Sequence, residues 1–294
     1  INQIRSDDGG TVSGRISMSN PNLQQIPARD PELGPMIRSL FLPEEGEQWA
    51  AIDFSQQEPR ILTHYAKVFG DARGIQLEGA EEFVKAYNDD PDTDFHTLVA
   101  EMAKIPRKQA KTVNLGIMYG MGVGKLSEQL DLPFEEAKRL INQYHQRVPF
   151  VKGLMQGVTN RLNAKGANGS LRSLKGRKCR FDMWEPDTFS MNKALPYREA
   201  VEAWGPTTKL KRAYTYKALN RLIQASAADM TKKAMVDIYK TGRVPLIQIH
   251  DEIAISVKDA NEANDIANIM ESAIPLVVPS KCDVEIGPSW GEAK

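Results

Sequence analysis

Two short apolar segments, each leading to an aspartate, lie near opposite ends of the chain and constrain its fold most. Residues 49–52 run into Asp53, and residues 244–249 are followed by His250 and Asp251. Short apolar runs of this kind predict β-strands, and the second run continues after three polar residues, which predicts a hairpin. Most of the intervening chain has helical patterns. The sequence therefore predicts a discontinuous α/β (α+β) domain with a mostly helical insertion.

Both aspartates follow predicted strands, so their carboxylates can lie at one sheet edge. Mg²⁺ in proteins is commonly bound by one or two carboxylates together with phosphate oxygens of a substrate. Each aspartate also has an ordinary interpretation, as a helix N-cap for Asp53 and as a turn residue for Asp251. The two together favour a metal site.

A predicted helix carries a stripe of four side chains spaced four residues apart: Arg107, Lys111, Leu115 and Tyr119. Residues at this spacing share one face of a helix. Two cations followed by an apolar and an aromatic side chain suit a nucleoside triphosphate, with its phosphates on the cations and its base against the ring. A surface helix with a half-buried apolar end is the alternative.

Charge is segregated along the chain although the total is balanced, with 38 Lys+Arg and 38 Asp+Glu. A net charge of zero argues against a nucleic-acid partner. However, residues 71–101 are strongly acidic, residues 161–180 are basic without one acid, and further basic clusters occupy 104–111 and 209–217. Local basic surfaces bind phosphate backbones whatever the total charge, so a polyanion is the expected partner.

Several classes of protein are disfavoured by composition. Two distant cysteines exclude a disulfide framework and disfavour a zinc site. No apolar run has the roughly 18–20 residues of a membrane span, and no signal peptide opens the chain. The two cysteines fit a reducing compartment. Because the first residue is Ile1, we expect the chain to be part of a longer polypeptide.

Residues 53–60, Asp-Phe-Ser-Gln-Gln-Glu-Pro-Arg, resemble motif A of the family A DNA polymerases, the bacterial DNA polymerase I group. Residues 107–120 resemble motif B of that family, and 248–252 resemble motif C. Four further segments resemble sequences of the family and occur in the same order along the chain. They are residues 11–17, 21–27, 94–96 and 220–229. The sequence at 57–59 is closer to phage-like members. The resemblance implies a cytoplasmic protein of a bacterial or phage-infected host cell, with an organelle as the alternative.

The resemblance implies a right-hand polymerase palm with an antiparallel sheet and a mostly helical fingers insertion. The palm would comprise residues 1–66 and 218–294, and the fingers residues 67–217. The thumb and any exonuclease domain would be absent from this chain, which we expect to be a monomer that contacts no membrane.

The resemblance also implies a catalytic site. Asp53, Asp251, Glu252 and Lys111 would be catalytic. Two Mg²⁺ ions, with Mn²⁺ as a substitute, would be bound by Asp53, Asp251 and the backbone carbonyl of Phe54.

Deoxynucleoside triphosphates and primer-template DNA would be the substrates. The resemblance assigns nucleotide binding to Arg107, Lys111, His96, Glu58, Tyr119, Leu115 and Gln56. Glu58 would exclude a ribose 2′-hydroxyl and would be held by Tyr119. The resemblance assigns DNA contacts to Arg15, Asn22, Gln24, Asn220, Gln224 and His250. Leu115 replaces an aromatic residue that is usual in the family, and Tyr216 replaces an arginine.

The function implied is template-directed addition of deoxynucleotides to a primer 3′-hydroxyl with release of pyrophosphate, in replication or repair. Two alternatives remain open. The chain could be a thumbless DNA-binding fragment that is inactive without its missing N-terminal part. It could also be another palm polymerase, either an RNA polymerase or a reverse transcriptase.

Overall fold

The computed structural model describes residues 1–3, 10–27, 30–188 and 193–293. The chain divides into two compact units. Unit 1 comprises Ile1–His64, Glu82–Thr93 and Gln224–Lys294, and unit 2 comprises Tyr65–Glu81 and Asp94–Ile223.

Helices and strands alternate irregularly along the chain. The α-helices of the described residues are α1 (Leu33–Arg38), α2 (Gln57–Asp71), α3 (Ala80–Asp89), α4 (Phe95–Ala103), α5 (Arg107–Met118), α6 (Val123–Leu130), α7 (Phe134–Arg147), α8 (Pro149–Asn163), α9 (Tyr197–Trp204), α10 (Ala218–Lys240) and α11 (Ala260–Ser272). The strands are β1 (Gln48–Phe54), β2 (Ser170–Arg172), β3 (Lys178–Arg180), β4 (Met183–Pro186), β5 (Leu195–Pro196), β6 (Leu210–Arg212), β7 (Ile247–Ile249), β8 (Glu252–Val257) and β9 (Cys282–Gly287).

Unit 1 is built on a four-stranded antiparallel sheet with the strand order β7-β8-β1-β9. Strand β1 is central and apolar on both faces, which is why the sequence before Asp53 is a continuous apolar run rather than an alternating one. On one face, Trp49 and Ala51 pack with Ala254 and Trp290. Helix α11 also packs on this sheet. Strands from both ends of the chain thus share one core, and the predicted mixed α+β class is confirmed.

Unit 2 is mostly helical. Helix α4 packs against α5 and α7, and α7 packs against α8. Two small antiparallel sheets, β2-β3 and β5-β4-β6, complete the unit. Pro149 opens α8, where the missing N–H of proline leaves no intrahelical bond unmade.

Three segments contain elements that the sequence analysis does not predict. The acidic segment 71–94 contains α3, because Phe83 and Tyr87, four residues apart, form a buried stripe within the acidic sequence. The basic segment 165–180 contains the β2-β3 hairpin. Helix α6 begins directly after the glycines that end α5, because Gly122 can serve as its N-cap.

The predicted palm and fingers boundaries stay predictions. The two units differ from those boundaries mainly at 82–93, which belongs to unit 1, and at 218–223, which belongs to unit 2. None of the described helices combines the length and the apolar character that spanning a bilayer requires.

The close contact between α8 and the end of α2 leaves no room for a side chain at Gly157. A Cβ there would lie 2.9 Å from Cε2 of Phe69 and closer still to two other ring atoms. Alanine is favoured over glycine in a helix by about 1 kcal/mol, whereas overpacking costs about 1–3 kcal/mol. We expect Gly157→Ala to lower the free energy of unfolding by about 1 kcal/mol, measured by urea unfolding followed by circular dichroism.

The matched control is Gly124→Ala on α6, where a Cβ would meet no atom within 4 Å. This variant should be neutral or slightly stabilising. A Gly157→Ala variant as stable as the control would contradict the contact with Phe69.

Candidate functional site

Three acidic side chains meet at one end of the unit 1 sheet. Asp53 lies near the end of β1, directly opposite Glu252 at the start of β8. Asp251 lies in the two-residue turn between β7 and β8, and its carbonyl oxygen accepts a hydrogen bond from the Phe54 N–H at 3.4 Å. The antiparallel register therefore brings Asp53 and Asp251 together, although they are far apart in sequence.

The turn that carries Asp251 has a constrained backbone. His250 is in the left-handed region with φ 56°, which is uncommon for a residue with a side chain. Its carbonyl accepts a hydrogen bond from the side-chain amide of Gln248, which is buried. The backbone on both sides of Asp251 is thus fixed by local hydrogen bonds.

Burial makes this group of carboxyls resist ionisation. Burial raises the pKa of Asp53 to about 8, and the charges of Asp251, Glu252 and Asp283 add to the effect. Burial likewise raises the pKa values of Asp251 and Glu252. The Trp290 Nε1–H donates to Oε1 of Glu252 at 3.1 Å, which partly offsets the effect of burial there.

The Asp53 side chain is incompletely satisfied. Its Oδ1 atom is buried and has no hydrogen-bond partner among the described residues. A buried carboxylate without a partner is costly, and a bound cation or a proton removes that cost. Hard carboxylate oxygens are the ligands that Mg²⁺ prefers, so the donor set fits the predicted metal.

The protein supplies only part of a metal coordination shell here. Within the described parts of the chain, no group of three or more His, Cys, Asp or Glu residues is arranged to hold a metal ion. Phe54 is the last residue of β1, next to Asp53, and the role of its carbonyl stays a prediction. Any ion at this pair would take most of its ligands from substrate or solvent.

A buried arginine supports the turn after Asp53, and sequence reasoning missed it. Arg60 is only 1% exposed and donates to the carbonyl oxygens of Ser55 at 2.9 Å, Pro279 at 2.7 Å and Pro91 at 2.6 Å. Its guanidinium also stacks on Tyr87. Arginine is rarely buried, so the sequence alone predicts a surface side chain.

The remaining motif A residues have defined partners. The Gln56 side chain donates to the Thr93 carbonyl at 2.9 Å and accepts from the Tyr87 hydroxyl at 3.3 Å. Glu58 forms a partly buried ion pair with Arg15, with Oε1 and Nη2 2.6 Å apart. The predicted sugar-selecting and DNA-contacting residues are thus in direct contact.

Other predicted DNA-contacting residues lie in unit 1 or along α10. Arg15 and His250 line one small cleft together with Gln248 and Lys232. Two more of them have local structural contacts. Asn22 caps the short 3₁₀ turn Leu23–Gln25, and the Gln24 side chain donates to the Ile16 carbonyl at 3.1 Å.

Asn220 and Gln224 are one turn apart on α10, both half-buried. They therefore occupy one side of that helix, as their spacing predicts. Their contact with DNA stays a prediction.

Unit 2 holds the predicted cation stripe on α5. Arg107 and Lys111 are exposed, Leu115 is half-buried, and Tyr119 is 41% exposed at the C-terminal end of the helix. The opposite face of α5 is buried, so the stripe predicted from the four-residue spacing is the accessible face.

Asp94 orients the first of these cations. Its Oδ2 atom accepts from Arg107 Nε at 2.7 Å and from Nη2 at 2.5 Å, while its Oδ1 atom accepts from the His96 backbone N–H at the start of α4. Burial opposes ionisation of Asp94, but these hydrogen bonds, with one from Thr97, outweigh it and lower its pKa. Asp94, the N-cap residue of α4, therefore also fixes the orientation of the Arg107 guanidinium.

His96 is 8% exposed and is held from the other side by α5. The Nδ2 atom of Asn114, a fully buried residue, lies 2.9 Å from His96 Nδ1. Burial lowers the pKa of His96, and the charges of Lys111 and Arg107 lower it further against the opposing effect of Asp94. Asn114 was missed by sequence reasoning, although a polar residue on the apolar face of a helix is a usable signal.

Comparison with known proteins identifies the chain. The family model described as DNA polymerase family A matches residues 5–292. A DNA-directed DNA polymerase of Pseudomonas phage M6 is 39% identical over 335 residues, which cover 100% of this chain and 46% of that protein. The thermostable DNA polymerase I of Thermus aquaticus is 34% identical over 306 residues, covering 99% of this chain and 32% of the relative.

The fold is also shared with a solved structure. The POL domain of Pol1 from M. smegmatis, solved in complex with DNA primer-template and dNTP, matches with a TM-score of 0.73 at 30% sequence identity. The match covers 96% of this chain and 47% of that chain. The chain thus spans from 32% to 47% of the length of these relatives. The predicted family resemblance is confirmed, and the chain belongs to DNA polymerase family A.

Proposed function

We propose that this chain is the nucleotidyl-transferring part of a template-directed DNA polymerase, which extends a primer 3′-hydroxyl with deoxynucleotides and releases pyrophosphate. The observation that carries the proposal is the pair of half-buried carboxyls, Asp53 and Asp251, at the end of the unit 1 sheet. Family membership supports the same reaction. It disfavours the alternatives of an RNA polymerase or a reverse transcriptase.

Family A DNA polymerases depend on metal ions, and we propose that two Mg²⁺ ions bind at this pair in the working enzyme. Asp53 and Asp251 would supply carboxylate oxygens and Phe54 its backbone carbonyl, with Glu252 held nearby by Trp290. When bound, such ions would supply activation of the attacking hydroxyl and stabilisation of the charge that develops on the phosphate. The protein contributes the paired strands β1 and β8 and the turn before β8, which together hold the two carboxylates side by side.

The cation stripe of unit 2 would bind the triphosphate of the incoming nucleotide. Arg107 and Lys111 carry fixed positive charge, and both are exposed on α5. Charge-assisted hydrogen bonds from such side chains favour the leaving pyrophosphate, on which negative charge accumulates. Asp94 holds the Arg107 guanidinium in one orientation. Leu115 and Tyr119 would contact the sugar and base.

Selection of the deoxy sugar would rest on Glu58. Its carboxylate is held by Arg15 in a partly buried position, which supports a fixed rather than a mobile side chain. A fixed carboxylate leaves a ribose 2′-hydroxyl no room. Because Arg15 is also a proposed DNA contact, duplex binding and sugar selection would share one residue.

A second candidate is a DNA-binding fragment that needs the rest of its polypeptide to react. This chain spans only 46% and 32% of the lengths of two relatives. Activity could therefore require parts of the polypeptide that correspond to the rest of those relatives. Both candidates require duplex binding, whereas only the first requires catalysis by this chain alone.

Removing either carboxylate should abolish catalysis without preventing folding. We expect Asp53→Asn and Asp251→Asn each to slow single-nucleotide primer extension by on the order of 100-fold or more, because each substitution removes a metal ligand. Gel-resolved extension of a labelled primer in Mg²⁺ measures the rate, and duplex binding is measured in parallel by fluorescence anisotropy.

Asp265→Asn is the matched control, because Asp265 is an exposed carboxylate on α11. Its extension rate should be unchanged. Equal extension by all four proteins would refute the metal assignment, and extension by none with intact duplex binding would favour the fragment.

Metal binding at the carboxyl pair should depend on pH. Because the pKa of Asp53 is raised to about 8 and that of Asp251 is also raised, protons must leave when a cation binds. The affinity for Mn²⁺ should therefore fall as the pH is lowered below about 8, by up to about tenfold per pH unit for each proton released. Isothermal titration calorimetry in buffers of different ionisation enthalpy measures the affinity and the protons released.

Asp53→Asn should lose most of the proton release, and Asp265→Asn should keep it. An affinity for Mn²⁺ that does not change between about pH 6.5 and pH 8.5 in the unsubstituted chain would contradict the raised pKa values.

A further inference from the structure

Asn114 is a fully buried polar residue whose side chain contacts a predicted nucleotide-binding residue. It lies on α5, three residues after Lys111, and faces into the packing between α5 and α4. Its Nδ2 atom is 2.9 Å from Nδ1 of His96, the second residue of α4. Its Oδ1 atom is buried without a hydrogen-bond partner among the described residues.

The direction of this hydrogen bond decides where the imidazole carries its proton. With the Asn114 amide oriented so that its Nδ2–H faces the ring, Nδ1 accepts the hydrogen bond and is the unprotonated nitrogen. The neutral ring then carries its proton on Nε2, as a hydrogen-bond donor. Among the described residues His96 has hydrogen bonds at its backbone N–H and at Nδ1 and none at Nε2, so this donor has no protein partner.

The charges around His96 agree with a neutral ring. Burial lowers the pKa of His96 and outweighs the opposing effect of Asp94, and the charges of Lys111 and Arg107 lower the pKa further. If the amide were turned over, Nδ1 would be the protonated nitrogen, and a neutral ring would direct a lone pair from Nε2 towards a ligand. An anionic ligand would be repelled by that lone pair.

We propose that Asn114 is a positioning residue that fixes His96 as the Nε2–H tautomer, so that His96 donates a hydrogen bond to an oxygen of the triphosphate held by Arg107 and Lys111. The inference rests on the proposed function and deepens it by adding a residue that touches no substrate. Two cations and one neutral donor would together hold the triphosphate.

A role in stability alone does not explain Asn114. A buried amide with an unsatisfied oxygen is costly compared with an apolar side chain of similar shape. The residue is instead suited to selecting one tautomer, as partners of metal-binding histidines do. The alternative to be tested is that Asn114 merely fills space between α4 and α5.

The tautomer can be measured without any activity. In protein carrying ¹⁵N-labelled histidine, the side-chain nitrogens report which one is protonated, and the chain has only 4 histidines. His96→Gln identifies the His96 signals by their loss. We expect an unprotonated Nδ1 and a protonated Nε2 for His96 near neutral pH. A protonated Nδ1 in the unsubstituted chain would overturn the proposal.

Substitution at residue 114 should change this state in a defined way. In Asn114→Ala the preference for the Nε2–H tautomer should be lost. In Asn114→Asp the carboxylate should accept from Nδ1–H, so Nδ1 becomes protonated. Thr112→Ala, on the exposed side of α5, is the matched control and should leave the His96 signals unchanged. Unchanged His96 signals in both Asn114 variants would overturn the proposal.

Nucleotide binding supplies the second readout. We expect Asn114→Ala to raise KM for the incoming nucleotide about tenfold with a smaller effect on kcat, since one hydrogen bond to a charged group is weakened. In a His96→Gln background the same substitution should have no further effect on KM. An equal loss in that background would show that Asn114 acts through packing and would overturn the proposal.

The two readouts separate this inference from the proposed function. If the unsubstituted chain binds duplex but does not extend a primer, the proposed function fails for this chain alone. The nitrogen shifts of His96 still decide whether Asn114 sets its tautomer.

Discussion

The antiparallel pairing of β1 with β8 is the interaction on which the candidate site depends. It places Asp53 opposite Glu252 and beside Asp251, in a part of unit 1 where burial raises the pKa of each carboxyl. A sheet that places like charges together without neutralising them loses stability that it could otherwise have. Such an arrangement is typical of a site that binds a cation during function.

The rest of unit 1 keeps that arrangement rigid. Trp290 packs on Trp49 and also donates to Glu252, so one side chain joins the apolar core to the carboxyl group. Arg60 ties the segment after Asp53 to two other loops by three hydrogen bonds. In unit 2, Asp94 contacts Arg107 and Asn114 contacts His96, and both contacted side chains are predicted to bind phosphate. In both units, the residues proposed to bind metal or nucleotide are held in place by neighbouring residues that are not proposed to contact either.

Much of the architecture could be predicted from the sequence because hydrophobic patterns determine it. The run before Asp53 and the hairpin around Asp251 are apolar segments that only a sheet core explains, and the stripe on α5 follows from its four-residue spacing. Helix α3 was missed because its acidic composition conceals the buried pair Phe83 and Tyr87.

The supporting contacts could not be predicted in the same way. The burial of Arg60 and the contact of Asn114 with His96 join residues from different elements, and their partners include backbone carbonyls that no sequence pattern marks. Such contacts depend on how helices and loops pack. The sequence therefore indicates which groups carry the chemistry, whereas the structure is needed to find the groups that orient them.

The central claim is that Asp53 and Asp251 bind the catalytic metal, and anomalous scattering tests it most directly. Crystals of the chain with primer-template DNA, a non-reactive nucleotide analogue and Mn²⁺ would locate each ion independently of any activity. The account predicts anomalous peaks within coordination distance of both carboxylates, shared with phosphate oxygens of the analogue. Peaks confined to other sites, with these two carboxylates free of metal, would contradict it.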